Sequence, residues 1–342
     1  MKPVHKKIIY FILSLIVCFV VLRYVLSEIS FGQVTELMLN ADAAALIIFV
    51  ILSLLMTLFR TWRYKLLLNF SGVRPNSFAL YLVVLIRNFC SDLLPARTGS
   101  LVYVFLLNKR LGVSLDQATS SFSLAMVFDL CSVAPLVLVA TLFLGDTGGV
   151  SNSVVVSAAV VFLILSTILI YMTPFLFKFA GEQTARIKFL PEKIRTEASK
   201  FFDRVNLDIR QIRDAGLYTK VFLLSILIRV FKYASLYFIL YALLAPEGYT
   251  YAQLPWAKVF FGLIVPEFVV SLPISGIAGF GAYQSAWIFM FELLKFPSET
   301  AKITSLSHHI LSQAFSFGIA IAAFLILLLP GFKARSRQQP VL

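Results

Sequence analysis

Acidic residues are scarce in this chain: 17 Asp and Glu stand against 30 Lys and Arg, for a formal net charge of +13. Histidine and cysteine are scarcer still, with three of each in 342 residues. Cys18, Cys90 and Cys131 fall inside apolar runs without the close spacing of metal ligands, so they read as packing residues, and neither a zinc site nor a redox role is expected. His308 and His309 are adjacent, point about 100° apart on a helix and do not form the i, i+4 pair that grips a metal; hydrogen-bonded packing is expected of them. No Ser-His-Asp or Cys-His arrangement has a catalytic context. The glycines of 276–281 lack the strand-turn-helix setting of a nucleotide loop. No cofactor is therefore expected, and no metal.

Apolar residues are what the chain has in excess. They make up 59% of it, with a mean hydropathy of +0.89, against roughly 45–50% in soluble domains. Apolar runs near twenty residues recur, whereas barrel strands would alternate over about ten. The expected fold is all-α, a polytopic transmembrane bundle. The basic residues sit in short loops and tails between apolar runs, a pattern that orients a membrane protein rather than binding nucleic acid. The expected partners are membrane lipids, above all anionic phospholipid headgroups.

About six full spans are expected: 8–26, 43–59, 117–144, 154–177, 217–244 and 303–329. Lys2, Lys6 and Lys7 precede the first, and no small-x-small cleavage site follows it, so an uncleaved span with a cytoplasmic N-terminus is expected. Arg60, Arg63, Lys65 and Arg74 follow the second span and mark the inside, as Lys333, Arg335 and Arg337 do for the C-terminus. The segment 178–220 carries ten basic and six acidic residues. Within it Ile194, Ala198, Phe201, Val205, Ile209 and Ile212 form one helical stripe, which suits a helix lying in the membrane interface or one packed on the bundle.

Two polar breaks interrupt the apolar pattern, in hairpins 76–108 and 253–298. The first places Arg87, Asp92 and Arg97 in apolar sequence, where an unpaired charge costs several kcal/mol, with Pro95 and Gly99 loosening the helix beside them. Its second arm, 101–107, is too short to cross, so a re-entrant hairpin is expected. The second break runs from Pro266 through Pro273, Gly276 and Gly279 to Gly281. Both its arms look long enough to cross, so length leaves open a hairpin or two spans. Three spans and a break in 1–148, repeated in 149–342, give an odd number of crossings per half, and inverted repeats with paired broken segments point to a transport site.

Arg87 and Arg97 suit a lipid phosphate through planar bidentate donors; pairing with Asp92 is the alternative. The glycines of the second break either present backbone N–H groups to an anionic headgroup or allow tight packing. Asp129 and Glu267 read as interior acids paired with Arg or Lys.

The stretches LLPARTGSLVYVFLL (93–107), LPISGIAGFGAYQSAW (272–287) and RTWRYKLLL (60–68) resemble the lysylphosphatidylglycerol synthase transmembrane family, also called flippase-like, over nearly the whole chain. In that family the first motif reads Leu-Pro-x-Arg-x-Gly-Glu. Leu94, Pro95, Arg97 and Gly99 match, and Ser100 stands where the acid is common. The second motif ends Gly-x-Gly-x-x-Glu; Gly279 and Gly281 match, and Gln284 replaces the acid. The resemblance implies movement of an aminoacylated or related phospholipid between leaflets of the cytoplasmic membrane. Members that synthesise the lipid carry a soluble transferase domain after the membrane part, and this chain stops at Leu342, so no enzyme activity is expected. The competing expectations are a membrane-embedded transferase acting on a lipid or polyprenyl headgroup, and a non-transporting accessory subunit.

Overall fold

The computed structural model describes Arg23 and residues 29–144, 152–186, 191–272 and 277–329. Apart from Arg23, the expected first span lies outside the described residues, as do Cys18, the loop at 145–149, Pro273, Gly276 and the C-terminal tail. Helix fills 85% of the structure, and the described residues contain no strand. Five helical stretches are long and apolar enough to cross a membrane: Ala43–Phe70, Leu115–Leu142, Val156–Arg186, Leu217–Leu244 and Ser298–Leu328. They match the second to sixth expected spans, and the protein is a multi-pass helical membrane protein.

Short α1 (Phe31–Leu39) is capped by Ser30, whose hydroxyl accepts from the Gln33 N–H while the Gln33 side chain accepts from Ser30 N–H. That reciprocal box satisfies two orphan donors of the helix start. Helix α2 (Ala43–Phe70) begins at Asp42, whose carboxylate accepts from Ala45 N–H at 2.7 Å. Its buried face runs Ala45, Phe49, Ser53, Thr57, Arg60, Thr61, Tyr64, Leu67 and Leu68, the i, i+4 rhythm of one helical stripe. This stripe packs along α9 (Leu217–Leu244). The Asp42 N–H donates to Ala242 O at 2.8 Å, tying the start of α2 to the end of α9, so the two helices run antiparallel.

Here the sequence reading needs correction. It ended the second span at Phe59 and took Arg60 and Arg63 for loop residues. The helix runs eleven residues further, and both arginines are buried within it. Long basic side chains can continue an interior stripe when an interior acid or amide meets them, and a local window does not see that partner.

The first hairpin is α3 (Ser77–Leu93), a 3-10 turn over Pro95–Leu101, and α4 (Val102–Leu111). Both the turn and α4 pack back on α3. The third span divides into α5 (Leu115–Cys131) and α6 (Val133–Leu142); Pro135 lacks an N–H and its ring crowds the carbonyl four residues earlier, at Cys131, where the division falls. Then come α7 (Asn152–Arg186) and α8 (Glu192–Asp214). Helix α7 outruns the expected end at 177. Helix α8 packs on α5 and α7 with Val205, Ile209 and Ile212 fully buried, so the stripe is the face by which the helix docks on the bundle; the Ile194 side chain lies outside the described ones.

The second hairpin is α10 (Trp256–Val270), a 3-10 turn over Ile277–Gly279, and α11 (Ala282–Leu293). Its arms have 15 and 12 helical residues, or about 22 and 18 Å at 1.5 Å per residue. Both fall short of a hydrocarbon core of about 30 Å. The helices are thus shorter than the apolar runs, the first ending at Val270 and the second beginning only at Ala282, which favours the hairpin of the two alternatives. Helix α12 (Ser298–Leu328) closes the bundle against α3, α9 and α11.

Candidate functional site

The stripe of α2 carries two arginines into the interior, and they meet different fates. Arg63 is fully buried and grips Asp129 of α5 with both ends: Nη1 to Oδ1 at 2.7 Å and Nη2 to Oδ2 at 3.1 Å. Its Nη1 also donates to Ser225 Oγ of α9 at 2.7 Å. Arg229 of α9 donates twice to the Asp129 backbone oxygen, from Nε at 3.0 Å and from Nη2 at 2.7 Å. One acid on α5 thereby ties α2 to α9. A second pair joins α9 to α10, with Lys232 Nζ 2.5 Å from Glu267 Oε1 and the Tyr233 hydroxyl donating to Glu267 Oε2 at 3.2 Å. The expectation that Asp129 and Glu267 are paired interior acids is met.

Among the described residues Arg60 and Arg87 have no such partner. Both are buried, and each donates through Nη1 to one neutral atom, Oδ1 of Asn88, Arg87 doing so at 3.4 Å. The Asn88 Nδ2 in turn donates to Thr57 Oγ1 at 3.3 Å. The Nε atoms of both arginines are buried without a hydrogen-bond partner. Arg87 does not pair with Asp92 as the sequence alternative had it. Five residues of helix turn the two side chains well apart, and no ion pair of either is found among the described residues.

These groups surround a cavity of about 160 Å³. Its charged lining among the described residues is Arg60, Arg87, Arg229 and Lys232 with Asp92, Asp129 and Glu267. Adding Arg63 behind the wall, basic groups exceed acidic ones by two. The volume holds several water-sized groups, and its walls come from α2, α3, α5, α9, α10, α11, α12 and the second 3-10 turn.

Of the headgroup-binding candidates singled out in the sequence, Arg87 and Asp92 face this cavity, as do the interior acids Asp129 and Glu267 and the packing residue His309. The two tips touch, since the turn at Pro95–Leu101 contacts that at Ile277–Gly279, but several tip residues serve as its support. Gly99 is packed so closely that a Cβ there would lie 1.6 Å from the Cys90 carbonyl oxygen. Ser100 donates its hydroxyl to Ser91 Oγ at 2.8 Å. Gly279 has φ +74 and faces the Val270 side chain, while Ala278, at the cavity edge, is held at φ 53, a strained region for a residue with a Cβ. Gln284 is fully buried, accepts from Gly281 N–H at 2.7 Å and sits 2.9 Å from His309 Nδ1. An amide performs both contacts; a carboxylate in its place has no N–H to give. The backbone of Pro95 and Arg97 belongs to the first turn, and their side chains lie outside the described ones.

His308 is held by Leu236 O at 3.0 Å and the Tyr283 hydroxyl at 3.2 Å, so the adjacent histidines are packed and hydrogen-bonded as expected. Among the described residues no cluster of His, Cys, Asp and Glu could hold a metal ion. The sequence reading missed Arg60, Asn88, Arg229 and Lys232 as site residues. Arg60 and Arg63 did carry a signal: they prolong the Ala45–Phe49–Ser53–Thr57 rhythm. Asn88 carried none, since its role depends on an arginine 28 residues away.

No curated protein matches the chain. The family model of the lysylphosphatidylglycerol synthase TM region, however, matches residues 11–320, taking in both hairpins and every residue that lines the cavity, and the chain belongs to that family.

Proposed function

We propose that the protein is a lipid translocase of the cytoplasmic membrane, moving an anionic or aminoacylated phospholipid by passing its headgroup through the charged cavity while the tails stay in lipid. The observation that carries the reading is a cavity inside an apolar bundle lined by four basic and three acidic side chains. Charges at membrane depth are costly and mark substrate paths. The broken hairpins support it too, because interrupted helices in corresponding positions flank the sites of transporters. So does the exchange of contacts between halves: α2 pairs with α9, the first tip meets α10, and the second tip meets α3. Two of the three acids, Asp129 and Glu267, are engaged in ion pairs instead of standing free as bases, which supports binding over catalysis.

The test is reconstitution into vesicles carrying fluorescent phosphatidylglycerol, with a membrane-impermeant quencher added outside. Protein-dependent loss of the inner-leaflet signal is expected, and Arg97→Ala is expected to slow it with the fold retained. Folded protein that moves no phospholipid overturns the reading in favour of an accessory subunit.

A further inference from the structure

We infer that Arg60 and Arg87, with Asn88 between them, form a clamp for the phosphate of a phospholipid headgroup; this rests on the translocase reading and adds the subsite to it. The two guanidinium groups come from α2 and α3 and converge on a single neutral oxygen. Buried like charges repel, and an amide oxygen offsets that repulsion only weakly. Of the acids lining the cavity, Asp129 has both carboxylate oxygens taken by Arg63 and Glu267 is paired with Lys232, and among the described residues neither Arg60 nor Arg87 makes an ion pair with Asp92. Each guanidinium therefore has spare N–H donors, including a buried Nε without a partner, beside a cavity that both side chains line.

A phosphodiester monoanion answers each of these features. It brings the missing negative charge, its oxygens accept bidentate donors from two planar forks, and it replaces the Asn88 Oδ1 contact. Asn88 loses little in that exchange, because its Nδ2 stays anchored on Thr57. The site is selective for phosphate over a carboxylate by having two forks on different helices, which grip oxygens around a tetrahedron.

The protein in neutral detergent micelles is titrated with dioctanoyl phosphatidylglycerol, inorganic phosphate or dioctanoylglycerol while its melting temperature is followed. The phosphatidylglycerol is expected to raise it at lower concentration than phosphate, and dioctanoylglycerol to leave it unchanged. Asn88→Asp places a carboxylate between the arginines. It is expected to raise the melting temperature of the unliganded protein and to abolish the phosphatidylglycerol shift. Arg60→Gln and Arg87→Gln are each expected to weaken binding by about tenfold or more. A shift of equal size with dioctanoylglycerol, inorganic phosphate as effective as the lipid, or an undiminished shift in Asn88→Asp overturns the clamp. Transport assays on the same variant separate the two readings: lipid movement undiminished by Asn88→Asp removes the clamp and keeps the translocase, whereas clamp binding without any lipid movement does the reverse.

Discussion

The fate of a buried charge depends on whether its partner is an acid, an amide or nothing, and Arg63 and Arg60 show two outcomes three residues apart. Removing one side of the Arg63–Asp129 pair leaves an uncompensated ion in the bundle. Asp129→Asn is therefore expected to cost about 3–5 kcal/mol, measured as loss of thermal stability in detergent, whereas replacing both partners with apolar residues of similar volume is expected to cost far less. A double replacement as damaging as the single one would show that Asp129 matters through other contacts. Packing at the first tip is equally specific. Gly99→Ala drives a methyl into the Cys90 carbonyl and is expected to cost about 1–3 kcal/mol or more, while Gly318→Ala, with open space around it, is expected to be neutral or slightly stabilising. Comparing the two melting temperatures checks both.

At the scale of elements, docking of α8 is an apolar matter with a polar trim. Ile209 is fully buried on its inner face, so Ile209→Ala is expected to cost about 2–5 kcal/mol. The ion pair from Arg204 to Asp116, 2.6 Å long, is exposed, and Arg204→Ala is expected to cost no more than about 1 kcal/mol. Hydrogen exchange across 192–214 reads the two separately. The helix itself was legible in the sequence, because the Val205–Ile209–Ile212 rhythm is local, and so were five spans and both breaks, which hydropathy and proline mark directly. What was not legible depended on distance. Hydropathy could not say that α10 and α11 end short, since apolar residues continue beyond the helix ends. Nor could it say that Asp129 holds Arg63, 66 residues earlier, or that Arg60 turns to Asn88. Charges after an apolar run look alike in sequence, whether they end a helix or continue its interior face.

For the whole molecule, the excess of basic residues in 178–220 predicts that α8 faces the cytoplasm. A Glu197→Cys variant in a chain with its own cysteines replaced is expected to resist an impermeant thiol reagent in intact cells and to react after lysis; ready labelling from outside would reverse the orientation. With the loops so placed, the hairpins enter from opposite faces, and their short arms bring both tips to one contact inside the bundle. Water following each hairpin inward would leave only the thickness of that contact between the two compartments. The membrane voltage would then fall across the short stretch where the two turns meet instead of across the whole bilayer. A headgroup with one net charge passing the tips would exchange about 2.3 kcal/mol with the field per 100 mV. Movement of an anionic lipid is accordingly expected to speed up or slow down with the sign of an imposed potassium diffusion potential, and movement of a zwitterionic one to ignore it, which makes the meeting of two broken helices an electrical feature of this protein as much as a steric one.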